Sequence, residues 1–223
     1  MAASRPSRQY VALIGDMVQS RALPAAARAK AQQDFSRLVA LLNRRFADDI
    51  ASKFVVTIGD EFQGLLSNAE AIPDIVWLID STYGARSIRI GIGYGVLHTP
   101  LQKIALNIDG PALHEARAAI LLAHGRRMLG GVFSGFGEYD DVLLGFAQAL
   151  RHVRSNLTKR QLEAVGLLRE GRTQMAAAKK LGVTKQSISE RVVTAGWEPY
   201  RLGEIGWRKA LALATGTENR GGG

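Results

Sequence analysis

The sequence predicts an α+β protein in which an antiparallel sheet with helices is followed by a small all-α unit. Three observations predict it. Strand-like and helix-like runs follow one another as β-α-β-β-α-β and then α-β-α through the first two thirds of the chain, the last third carries three short amphipathic runs punctuated by threonine and glycine, and positive charge collects in that last third. Residues 1–152 hold 16 Lys/Arg against 14 Asp/Glu, whereas residues 153–223 hold 13 against 6. A basic end of this kind favours polyanionic partners by counterion release.

Tyr10 to Gly15 is a short apolar run that stops at Gly15-Asp16, the form of a buried strand ending in a turn. From Pro24 to Phe46 the apolar residues Phe35, Leu38, Val39, Leu42 and Phe46 recur at three- and four-residue spacing, so this segment is a helix with proline in its first turn. Phe54 to Ile58 and Phe62 to Leu66 flank Gly59-Asp60 as the strands of a hairpin, and Asn68 caps a helix running to about Tyr83. Ser87 to Val96 is a strand whose glycines at 91, 93 and 95 leave one face nearly bare for close packing. Gly110-Pro111 opens a helix ending near Gly125, Val132 to Phe136 is a last strand, and Asp141 to Val153 is a closing helix. The first six elements match the split βαβ, ferredoxin-like pattern, with strand order 4-1-3-2 and helices on one face.

The expected boundaries are residues 1–153 for the sheet unit, 154–212 for the helical unit and 213–223 for a disordered tail. The absence of cysteine from all 223 residues rules out disulfides and thiolate metal sites. The polar, basic start and the short apolar run after it are neither a signal segment nor a membrane span, so the expectation is a cytoplasmic protein with no membrane partner.

In the helical unit, Ser155 to Thr158 offer caps for a helix that stops at Gly171, and Thr173 opens a second that ends at Gly182-Val183. Thr184 then caps a third helix, with Ile188 and Val192 facing inward and Lys185, Gln186, Ser187, Ser189 and Arg191 outward. Lys159, Arg160 and Lys179 are candidates for phosphate contact. Trp197 and Trp207 are expected as packing anchors. The run LTKRQLEAVGLLREGRTQMAAAKKLGVTKQSISERV resembles the helix-turn-helix of sigma-factor region 4 and LuxR-type regulators. That resemblance implies double-stranded DNA as partner and a possible homodimer.

The strand order brings Asp16, at the end of the first strand, beside Asp60 and Glu61, at the start of the third. From the residues alone two readings stand. Three converging carboxylates call for a neutralising cation, and an all-oxygen set suits Mg²⁺ or Mn²⁺; equally, Gly15-Asp16 and Gly59-Asp60 are ordinary turn dipeptides. Met17, Val18, Gln19, Ser20 and Arg21 lead from Asp16 to a helix N-terminus whose amides suit phosphate. The four histidines lack metal-ligand spacing, there is no phosphate-binding glycine loop, and GIGYG lacks dinucleotide-binding spacing.

The set GDMVQSR, TIGDEFQGLL, RIGIGYG and DGPALHEARAA resembles the palm domain of class III nucleotidyl cyclases, and palm plus helix-turn-helix together resemble the SatD family over about residues 8–210. The resemblance implies that Asp16 and Asp60 hold metal ions around a nucleotide and that Arg117 contacts it. Two departures stand out: Phe54, Val55 and Val56 occupy the stretch that carries a purine-reading lysine in cyclases, and Leu113 occupies the position of a supporting asparagine. The expectation is therefore a DNA-binding regulator with a nucleotide-binding palm. The alternative is a metal-dependent nucleotidyl cyclase or transferase localised by its helix-turn-helix, and a third possibility is a palm kept only for dimerisation.

Overall fold

The computed structural model describes residues 8–18, 24–57, 60–83 and 88–216. The chain runs β1 (Gln9–Met17), α1 (Ala25–Arg45), β2 (Ile50–Val56), β3 (Glu61–Leu66), α2 (Ile72–Tyr83), β4 (Ile88–Val96), α3 (Pro111–Gly125), β5 (Gly130–Ser134) and α4 (Asp140–Ser155). Four further helices follow: α5 (Lys159–Arg169), α6 (Gln174–Leu181), α7 (Lys185–Thr194) and α8 (Trp197–Thr215). None of the described helices is long and apolar enough to cross a membrane.

The five strands form one sheet in the order β2-β3-β1-β4-β5. The expected 4-1-3-2 order is present, and β5 is added outside β4. This addition makes the sheet mixed rather than antiparallel, because β5 runs parallel to β4 with Ile90 opposite Gly131 and Ile92 opposite Phe133. A parallel neighbour needs a crossover connection, which α3 supplies.

α1 and α2 pack on one face, where Phe35, Leu38, Leu42, Ile72, Ile75 and Ile79 meet Val11, Leu13 and Phe62. α3 covers the opposite face, over Ala12, Ile14 and Leu65. Helices therefore lie on both faces once the crossover is counted. The bare stripe on β4 is what admits α3: a Cβ at Gly91 would stand 2.2 Å from the Ala116 carbonyl oxygen, and one at Gly93 2.1 Å from the Ala116 amide nitrogen. Ala112, Ala116, Ala119 and Ala123 line the facing side of α3 and are buried.

β2 begins four residues earlier than its apolar run predicts. Ser52 is fully buried and pairs with Leu65, its hydroxyl donating to the Gln102 carbonyl at 2.8 Å, so a polar residue occupies an inward position that hydrophobicity cannot reveal. The segment from Gln102 to Ala105 lies along the outer side of β2, with Lys53 N donating to Lys103 O and Ala105 N to Lys53 O, each at 3.0 Å. β5 is also displaced, by two residues, from the Val132–Phe136 run; Phe136 instead packs in the core beside Phe133 after the chain has turned.

α5, α6 and α7 enclose a small core of Ala164, Leu167, Ala177, Ala178, Ile188 and Val192. Thr158, Thr173 and Thr184 cap the three helices, each side chain accepting from an amide three residues on, and Thr158 forms a reciprocal box with Gln161. Gly182 ends α6 in the left-handed conformation, φ 65°. α8 returns to the sheet: Trp207 packs edge-on to Phe133, and Trp197 stacks on Tyr200, so both indoles are packing anchors.

The expected boundary at 153/154 falls inside α4, at whose end Arg154 is buried. Of the segment expected as a tail, Leu213, Ala214 and Thr215 instead complete α8 and Gly216 caps it at φ 66°. Residues 217–223 lie outside the described set.

An ionic network ties α2, α4, α5 and α8 together. Arg154 of α4 pairs with Asp80 of α2, both side chains 2% exposed, and donates to the Tyr200 hydroxyl of α8 at 2.9 Å. Burial, only partly opposed by Arg154, raises the Asp80 carboxyl above the usual carboxylate range. Arg169 of α5 bridges Asp74 of α2 and Glu204 of α8, and Arg208 of α8 holds the same two carboxylates.

Gly93→Ala is expected to destabilise by about 1–3 kcal/mol or more, because its methyl group would meet backbone rather than a yielding side chain. Gly125→Ala, where nothing lies within 4 Å of a new Cβ, is expected to leave the urea midpoint nearly unchanged. Equilibrium unfolding of the two variants checks the pair.

Candidate functional site

Two places collect the side chains singled out in the sequence: the end of the sheet where β1 meets β3 and β4, and the outer surface of α5, α6 and α7. At the sheet end, Asp16 lies opposite Glu61 on β3 and opposite Arg89 on β4. Strand alternation puts Asp16 on the same face as Ala12 and Ile14, which is the face covered by α3. Arg117 and His124 lie seven residues apart on α3, two turns along one side of the helix, and both reach this edge.

The result is a compensated cluster. Arg89 Nη1 donates to Asp16 Oδ2 at 3.1 Å, and His124 Nε2 lies 3.0 Å from the same oxygen. Arg117 grips Glu61 through both guanidinium nitrogens, at 2.5 and 2.6 Å. The Glu61 carboxylate, accepting those bonds, holds the Arg117 guanidinium above its ordinary pKa against the opposing effect of burial, with Asp16 adding to the field. Thr57 Oγ1 donates to the Glu61 backbone carbonyl at 3.2 Å.

Asp60 sits one residue outside β3 and is half-buried, and its backbone carbonyl accepts from Met17 N at 3.1 Å. The direct cross-strand neighbour of Asp16 is therefore Glu61 rather than Asp60. Among the described residues, no group of three or more His, Asp or Glu side chains stands in a metal-holding arrangement. Asp16 and Glu61 already face guanidinium and imidazole groups, so as arranged this donor set does not fit a divalent ion.

The structure divides the expected nucleotide-binding set. Met17 is buried on the α1 side, and with Val18 it lines a groove of about 670 Å³ with Lys30, Asp34, Arg37 and Thr82. Arg117 lies on the other face of the sheet, with the carboxylates. Gln19, Ser20 and Arg21 lie outside the described residues. Two members of the cluster, Arg89 and His124, were not singled out in the sequence. His124 was legible as the i+7 partner of Arg117; Arg89 needed the β1–β4 register, which no local pattern fixes.

On the helical unit, Lys159, Arg160, Lys179, Lys185 and Gln186 are exposed, and Ser187, Ser189 and Arg191 are half-buried. Ile188 and Val192 are 0% and 3% exposed, so α7 is divided lengthwise into a buried and a polar side. Gln186 Nε2 donates to Glu190 Oε1 at 3.2 Å, which orients the amide along the outside of the helix. Lys180 and Arg172, not singled out beforehand, are also exposed on this unit.

The family model described as the SatD family matches residues 10–201, a span that takes in both places. No curated protein matches the chain.

Asp16→Asn is expected to cost about 1–3 kcal/mol, since it strips the anion from Arg89, whose side chain is 15% exposed. Arg117→Ala, at a side chain 45% exposed, is expected to cost about 1 kcal/mol or less after solvent screening. Denaturant titrations that returned the reverse order would place the weight of the cluster on Glu61 instead.

Proposed function

The chain belongs to the SatD family, and from that footing we propose that it is a DNA-binding protein whose helix-turn-helix, α6 and α7 braced by α5, docks α7 in the major groove. The observation that carries this reading is the two-sided character of α7. Ile188 and Val192 anchor it, while the opposite side offers Lys185 and Gln186 at its N-terminal end, where this motif meets base edges. The exposed cations Lys159, Arg160 and Lys179 supply charge for phosphates, in keeping with the basic balance of residues 153–223.

A second reading concerns the sheet end and rests on Arg117 and His124 being about half exposed above the carboxylates, 45% and 49%. A guanidinium and an imidazole so placed can trade a carboxylate for a phosphate, so a nucleotide is the proposed ligand. Dependence of binding on Mg²⁺ or Mn²⁺ requires Asp16 or Glu61 to exchange its present partners for the ion. Calorimetry with a nucleoside triphosphate, with and without the divalent ion, measures both, and product analysis in the same tubes tests the cyclase or transferase alternative.

For DNA, selection from random duplexes with the full chain is expected to enrich one sequence. Alanine at Lys159, Arg160 or Lys179 is expected to weaken all duplexes alike and to lower the salt slope by about one unit per lost contact. Alanine at Gln186 or Arg191 is expected to cost about 1–3 kcal/mol on the enriched sequence and much less on random DNA. Absence of any enriched sequence, with and without nucleotide, overturns the reading.

A further inference from the structure

The outer side of α8 carries a stripe that the sheet does not use. Tyr200, Glu204, Trp207, Ala210 and Leu211 form its buried side. On the opposite side Leu202 is 56% exposed, Ile205 50% and Leu213 46%, with Glu198 and Lys209 exposed in the same row. At 3.6 residues per turn, Glu198, Leu202, Ile205 and Lys209 fall within an arc of about 60°. Their spacing of four, three and four residues is the repeat of a helix-to-helix seam. The helix also sits firmly: α4 packs beneath it, with Phe146 and Leu150 against Gly206 and Gly203, so the stripe is displayed on a fixed support.

From this arrangement we infer that the outer side of α8 is a self-association surface whose occupant is α8 of a second copy of this chain, packed antiparallel. The charge order identifies the occupant. A twofold axis between Gly203 and Glu204 sets Leu202 of each copy against Ile205 of the other, and in the same register it sets Glu198 of each copy against Lys209 of the other. Two apolar pairs are thereby flanked by two pairs of opposite charge, the self-complementarity that an isologous contact requires. A parallel arrangement would instead set each residue near its own copy, lysine by lysine and glutamate by glutamate. Within the chain, Lys209 makes no ion pair among the described residues, while Glu198 is held by Arg201 at 2.5 Å one turn along and stays ionised, its pKa lowered by that bond. A single crossing of helices buries less than about 1,200 Å², which places the contact among weak, reversible ones. The inference does not rest on DNA binding, and its test contains no DNA.

The test is sedimentation equilibrium of the full chain across the micromolar range. The parent chain is expected to show a monomer–dimer equilibrium, and Ile205→Glu to be monomeric throughout with its circular-dichroism melt unchanged. Glu198→Lys and Lys209→Glu, each alone, place like charges across the seam and are expected to raise the dissociation constant roughly tenfold. The double variant E198K/K209E restores opposite charges and is expected to return the constant to near the parent value. That recovery separates pairing across the seam from any effect on folding, since both substitutions are still present. A parent chain that is monomeric at every concentration overturns the inference. So does a dimer that Ile205→Glu leaves intact, or a double variant as weak as the single ones.

Discussion

The close approach of α3 to β4 is the constraint on which the rest of the molecule depends. Helix and strand backbones can meet only because positions 91, 93 and 95 lack side chains and the facing side of α3 is alanine. With that distance fixed, Arg117 and His124 are carried to the edge where Asp16 and Glu61 lie. A longer side chain on β4 would lift α3 as a rigid body, and the ionic cluster would come apart with the packing. Packing and site chemistry are thus two consequences of one stripe of glycine.

A second constraint seats α5 against α2 and α8, and it is of the opposite kind. Asp80 and Arg154 face each other in the core, Arg154 and Arg169 lie over the Trp77 ring at 5.7 and 5.0 Å, and Asp74 and Glu204 are shared between Arg169 and Arg208. Apolar residues of equal volume would often hold such a joint as well or better, since desolvating charges offsets much of their attraction. What the charges add is direction. Guanidinium groups accept carboxylates in few orientations, so α5 has one seating against α2 and α8. The attitude of α7 is set through that seating, because α7 packs on α5.

How much of this was legible in the sequence depends on whether the signal was local. The three threonine caps, the left-handed Gly182 and the inward pair Ile188 and Val192 are short-range features, and each stands where the local pattern placed it. The glycine stripe announced a close neighbour but not which element it would be. Buried polar residues were silent: Ser52 hid the first half of β2, and Asp80 and Arg154 resembled ordinary surface charges of amphipathic helices. Of the site at the sheet end, the acidic half followed from strand order. Arg89 did not, because its role depends on the β1–β4 register, and His124 shows in the sequence only as the i+7 partner of Arg117, its reach to Asp16 being set by the seating of α3. The parallel placement of β5 was invisible for a related reason, since a strand five residues long carries no mark of its neighbour's direction.

The segment from Gln102 to Ala105 that lies along β2 bears also on what the protein avoids. An open outer strand is a template: its unpaired amides and carbonyls can recruit an extended segment of any passing chain, the first step towards fibrous aggregates. Here the amide and carbonyl of Lys53 are already taken by Lys103 and Ala105, and the Ser52 hydroxyl fastens the same segment at Gln102. The bulges between Ile50 and Val55 twist the strand out of the flat geometry that stacking needs. On that side of the sheet the protein carries its own terminator, a few residues that keep the ladder from being continued by another molecule.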